Sequence, residues 1–156
     1  MPLLSTEELT PPEAVQRAAL KGVALHEAGK SGDGIKPETI RRANSMANGE
    51  PQSEQWVTSE APAWFARHES DWEEGVDDVE GAESPGYVAW LLWGGDAGKA
   101  WASKIMRQVE ARDAAASATL AVGQTYTDEL TARGTASGTR AMRATLGAIA
   151  ALIESA

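Results

Sequence analysis

Apolar residues recur along this chain at helical spacing, and no stretch alternates in the manner of a half-buried strand. The first segment follows Thr10-Pro11-Pro12-Glu13, where Thr10 can cap a helix, Pro11 suits its first position and Glu13 completes a capping box. Val15, Ala19, Val23 and His26 then share one face. Ala28-Gly29 predicts the stop, with residues 30–34 as a turn. A second helix is expected from Pro37, with Ile40, Ala43 and Ala47 as its stripe and Asn48-Gly49 as its end. Both helices are short enough to need tertiary partners.

A third helical region, Ser53 to His68, is expected to bend or restart at Pro62, because proline disrupts an interior turn. It places Ala61, Trp64, Phe65 and His68 on one face. Residues 69–85 are polar and contain glycine, and read as an irregular loop. The run from Gly86 to Trp93 is strongly apolar; it reads as a short helix or as a buried strand, since periodicity does not separate the two at this length. Gly94-Gly95 ends it, and Asp96 is expected to cap a helix with the stripe Trp101, Ile105 and Val109, which can run on toward Val122. After Gly123, further helices are expected over 125–133 and 139–154, the last with Met142, Leu146, Ile149 and Ile153 on one face. The expected fold is all-α. A compact Trp-rich helical domain over 10–111, carrying the acidic loop 69–85, precedes an Ala-rich helical extension over 112–156.

Composition sharpens this picture. All six tryptophans lie between Trp56 and Trp101, with the only phenylalanine, Phe65, among them. Aromatic rings bury the most area per residue, so Trp64, Phe65, His68, Trp90, Trp93 and Trp101 are the expected structural core. Charge is just as localised. Residues 69–83 hold eight acidic side chains and no Lys or Arg, which is -8 of the net -9. The remaining chain is nearly neutral and carries no basic footprint for nucleic acid. The absence of cysteine excludes disulfides, thiolate metal sites and cysteine nucleophiles, and fits a cytosolic protein. No apolar run approaches the roughly 20 residues that span a bilayer, and the acidic start of the chain does not resemble a signal peptide.

Four patterns invite a chemical interpretation. Gly94-Gly-Asp-Ala-Gly98-Lys99-Ala100 is like a phosphate-binding P-loop, but its first glycine would stand at Trp93 and its magnesium-holding Ser/Thr is Ala100. A helix end followed by a helix start explains it better. The two histidines, His26 and His68, fall on apolar faces without the spacing of a zinc site, although His68 beside Arg67 and Glu69 could act as a general base. The acidic run could attract calcium, yet it lacks the ligand order of an EF-hand, and a solvated loop is a poor frame for paired-carboxylate hydrolysis. Trp90 and Trp93 could offer a stacking platform, but a helix apolar all round is normally buried. No cofactor and no metal are expected.

The series Ala63-Trp-Phe-Ala-Arg-His68, an acidic loop, and Pro85-Gly-Tyr-Val-Ala-Trp-Leu-Leu-Trp-Gly-Gly-Asp-Ala-Gly-Lys-Ala-Trp101 resembles a small domain of tailed bacteriophages. That family shows a Phe-Ala-Arg-His run and a Trp-Gly-Gly-Asp motif followed by a tryptophan. An Arg-Ala-Ala helix and an Asn-Gly stop lie upstream, matched here by Arg17-Ala-Ala-Leu-Lys-Gly22 and Asn48-Gly49. The similarity covers about residues 12 to 105, and the heavily acidic loop departs from it. It implies a genomic context near head-morphogenesis genes rather than a mechanism. The expectation is therefore a non-enzymatic virion protein, made in the host cytoplasm, that decorates, cements or joins the head. Its partners would be capsid or head proteins and further copies of itself, with no membrane and no direct nucleic acid. Asp77, Asp78, Met142, Leu146 and Ile149 are the expected contact residues. The rival is an intracellular accessory enzyme or nucleic-acid-processing factor using Arg67, His68 and Asp96. A third reading is an interaction module that meets a basic host protein through the acidic loop.

Overall fold

A capping box does open the fold, but one helix earlier than Thr10-Pro11-Pro12-Glu13 suggests. In the computed structural model, which describes residues 4–73, 84–133 and 145–153 with the side chains of 71–73 and 133 excepted, Ser5 and Glu8 cap each other reciprocally. They start α1 (Thr6–Leu9). Thr10 closes that helix, and its hydroxyl donates to the Thr6 carbonyl, so it has no part in starting the next. α2 (Glu13–Glu27) begins behind Pro12 without a side-chain cap. It buries Val15, Ala19, Gly22 and Val23, and ends where the Gly29 and Lys30 N–H groups reach back to His26 and Leu25. α3 (Pro37–Ala47) carries its proline in the first turn, buries Ala43 and Met46, and closes through Gly49 as Asn48-Gly49 suggested.

The irregularity expected at Pro62 is a π-helical turn, Trp56–Glu60, just before α4 (Ala61–Glu73). The Ala61 N–H donates to the Trp56 carbonyl, five residues back. Widening the turn there relieves the clash between a proline ring and the carbonyl four residues earlier. α4 runs on through residues 69–73, which the sequence pattern had assigned to the acidic loop. Glutamate is a fair helix former, and Glu69 pairs with Lys99, two helices further along the chain, which ties the extra turn down. The rest of the acidic segment, 74–83, lies outside the described residues.

The apolar run is a helix, α5 (Pro85–Leu92), capped by Ser84, whose Oγ accepts the Tyr87 N–H at 3.1 Å. It buries Val88, Trp90, Leu91 and Leu92. α2 and α3 pair with each other, and both pack on α5. Val23, Ala43, Val88 and Leu92 are the centre of this contact. The chain then reverses through Gly94 (φ 104°) and Gly95 (φ 65°), a left-handed region that side chains avoid. A Cβ at Gly94 would also lie 2.9 Å from Val15 Cγ1.

α6 (Gly95–Arg133) starts at the second glycine, so Asp96 lies inside the first turn instead of capping it. Its carboxylate accepts the Trp90 indole N–H at 3.1 Å. Nor does Gly123 break the helix, which is continuous to Arg133. An interior glycine costs only about 1 kcal/mol relative to alanine, and a stop needs the left-handed turn that Gly123 does not make.

The chain divides after Arg107 into two units. The first holds α1 to α5 and the start of α6. In the second, from Gln108, no described residue is fully buried. Val109 and Arg112, and after a gap of seven Thr119, Gly123, Tyr126 and Leu130, are half-buried at helical spacing, and a last helical stretch over 145–153 places Ile149 beside Gly123. The described residues contain no strand, and the fold is all-α.

Candidate functional site

Five of the six tryptophans, Trp56, Trp64, Trp90, Trp93 and Trp101, come from several stretches of the chain and meet ring on ring. His68 and Trp64 of α4 lie 4.8 Å apart between ring centres, and Trp64 stacks on Trp93 at 4.5 Å with 4° between planes. Trp93 stacks in turn on Trp56 of the π turn at 5.7 Å and 26°. Trp101 of α6 tilts against Trp56 at 6.5 Å. Beneath this row, Trp90 meets Phe65 edge-on at 4.9 Å. Such offset and edge contacts add roughly 0.5–1.5 kcal/mol each beyond the area they bury.

Burial sorts the six expected core residues into two sets. Phe65, Trp90 and Trp101 are buried, while Trp64, His68 and Trp93 are only half-buried and stand at the edge of the core. Trp56, 1% exposed, belongs to the interior instead. The indole N–H groups explain part of this arrangement. Trp90 donates to Asp96, Trp101 donates to the Glu8 carbonyl at 3.3 Å and so ties α6 to α1, and the buried Trp56 Nε1 has no acceptor among the described residues.

Where the row reaches the surface it walls a cleft of about 720 Å³, to which Lys36, Ser59, Trp64, Arg67, His68 and Trp93 contribute. Glu60 also lines it, and its carboxylate pairs with Arg42 at 3.8 Å. Arg42 itself lies over the Trp56 ring, 5.1 Å from its centre. Burial lowers the Arg42 pKa from the ordinary arginine value, and Glu60 opposes that shift. Lys36 and Arg67 thus outnumber Glu60 among the charged groups that the described residues bring to the cleft.

Of the rival catalytic set, Arg67 and His68 both reach this cleft, whereas Asp96 is exposed, bonds to Trp90 and does not line it. His26 bonds instead to the buried Ser31. Lys99, the lysine of the P-loop-like run, pairs with Glu69. Among the expected contact residues, Leu146 is 47% exposed and Ile149 is half-buried beside Gly123; Asp77, Asp78 and Met142 lie outside the described residues. Ile149 is therefore engaged within its own unit, because a glycine at 123 leaves room for its Cδ1. No group of three or more His, Asp or Glu side chains suited to a metal occurs among the described residues. No described helix is long and apolar enough to cross a membrane.

The sequence reading missed Lys36, Thr39, Ser59 and Glu60 as neighbours of Arg67 and His68. No local pattern links them, since they come from the loop before α3, the first turn of α3 and the π turn. Comparison with models of known families, with curated proteins and with solved structures finds no match to this chain.

Proposed function

We propose that this chain is a non-catalytic assembly protein that works through protein–protein contacts, with its tryptophan-rich unit as scaffold and its second unit as contact surface. The observation that carries this reading is the exposure of large aliphatic side chains in the second unit. Leu120 is 68% exposed, Val122 63%, Leu152 64% and Ile153 50%, in a unit with no fully buried described residue. Val122 also rims a shallow depression of about 340 Å³ with Ala121, Thr125 and Tyr126. A helical segment with so little interior of its own is stabilised by covering these groups. A second copy of the same segment is the simplest cover, and repeated copies suit a shell. The narrower reading, a decoration, cement or minor head component of a tailed phage, rests on the sequence resemblance described above. The enzyme reading lacks its third group at the cleft, since Asp96 is committed to Trp90.

Two measurements test the parts separately. Sedimentation of the full chain is expected to show an oligomer that the Leu120→Glu/Val122→Glu variant converts to monomer, with tryptophan fluorescence unchanged. A wild-type monomer at tens of micromolar, about the concentration at which a micromolar association populates dimers, would remove the self-association reading. Mass spectrometry of purified particles is expected to find the chain in them. Its consistent absence there would remove the virion reading and leave the first result standing.

A further inference from the structure

The cleft beside the aromatic row has the make-up of a ligand site, independent of the contact surface of the second unit. Its volume of about 720 Å³ lies within the range of small-molecule pockets. Its apolar lining comes from Ile35, Ala63 and Ala89 together with Trp64 and Trp93. Trp64 is sandwiched between Trp93 and His68, and Trp93 between Trp64 and Trp56, so neither indole offers a free face for a stacked base. What they present is ring edge, the electropositive rim of the aromatic system.

The charged lining is mostly basic. Lys36 and Arg67 have no ion-pair partner among the described residues, and the one carboxylate that those residues bring to the cleft, Glu60, is paired with Arg42. Thr39 and Ser59 add hydroxyl groups. A cleft whose two cations have no ion-pair partner among the described residues, with an apolar lining and aromatic edges, favours a ligand that is anionic at one end and apolar at the other. We propose that this cleft binds a small organic anion, a carboxylate or phosphate monoester with a compact apolar body, held at its charged end by Lys36 and Arg67.

The test is calorimetric titration of the full chain at low salt with phenyl phosphate and with phenylacetate, alongside inorganic phosphate and benzyl alcohol. Saturable binding of at least one aromatic anion is expected, and the preferred one identifies the head group. The Lys36→Gln/Arg67→Gln variant should weaken it by about tenfold or more, the scale of one lost charge-assisted hydrogen bond. Both side chains are exposed, so near-ultraviolet circular dichroism should match the wild type. A Lys36→Arg/Arg67→Lys variant should keep most of the affinity. No saturable binding, equal binding of benzyl alcohol, equal binding of inorganic phosphate, or an unchanged affinity in the glutamine variant would each overturn the proposal.

Discussion

Gly22→Ala is expected to destabilise the tryptophan-rich unit by about 3 kcal/mol, at the upper end of the overpacking range. The sign is opposite to the usual one. In an exposed helix interior, alanine improves on glycine by about 1 kcal/mol. At Gly22, however, a Cβ would stand 2.7 Å from the Leu92 nitrogen and 2.9 Å from the Leu91 carbonyl carbon. These are backbone atoms of α5, so no rotamer change relieves the contact and α2 must move away from its partner. That movement would open the core around Val23, Val88 and Leu92. Gly147→Ala provides the contrast. Nothing lies within 4 Å of a Cβ there, and the change should stabilise its helical stretch by roughly 0.5–1 kcal/mol. Because every tryptophan falls between residues 56 and 101, indole fluorescence in urea reports the first variant. Hydrogen exchange over 145–153 reports the second. A Gly22→Ala protein with wild-type midpoint and slope would contradict the close approach of α2 to α5.

Trp90→Ala should cost about 3–5 kcal/mol, which is a large share of the stability of any small domain. Trp90 is 2% exposed, meets Phe65 edge-on and donates its N–H to Asp96, so truncation removes area, a ring contact and a hydrogen bond together. Asp96→Ala separates these contributions. Its carboxylate is exposed, and losing the bond should cost about 1–3 kcal/mol, less than the truncation, with the Trp90 ring still packed. Urea unfolding of the two variants checks the ordering. Equal losses would mean that the hydrogen bond, and not the packing of the indole, holds this part of the core.

These two variants also separate what a linear pattern can show from what it cannot. Periodicity of 3.6 residues placed Val15, Ala19 and Val23 on the buried face of α2 and Ala43 on that of α3, because each helix must turn its apolar stripe inward. Pro37, Asn48-Gly49 and Gly94-Gly95 marked real ends, since backbone restrictions act locally. Thr10 and Asp96 misled for a related reason. Both are good capping residues, and each found a different partner, Thr6 in one case and Trp90 in the other. Gly123 misled because a glycine permits a stop without imposing one.

The clustering of aromatic residues between 56 and 101 located part of the core of the tryptophan-rich unit, and helical spacing gave its all-α character, because ring area and periodicity are properties of the chain itself. Packing alone decided which rings go inside. Trp56 is buried and Trp64 and Trp93 sit at the edge, although nothing in their neighbours distinguishes them. Packing alone also brought Lys36 to Arg67 across some thirty residues of intervening chain. A cleft is defined by the space several elements leave between them, and that space exists only once α3, α4 and α5 have docked.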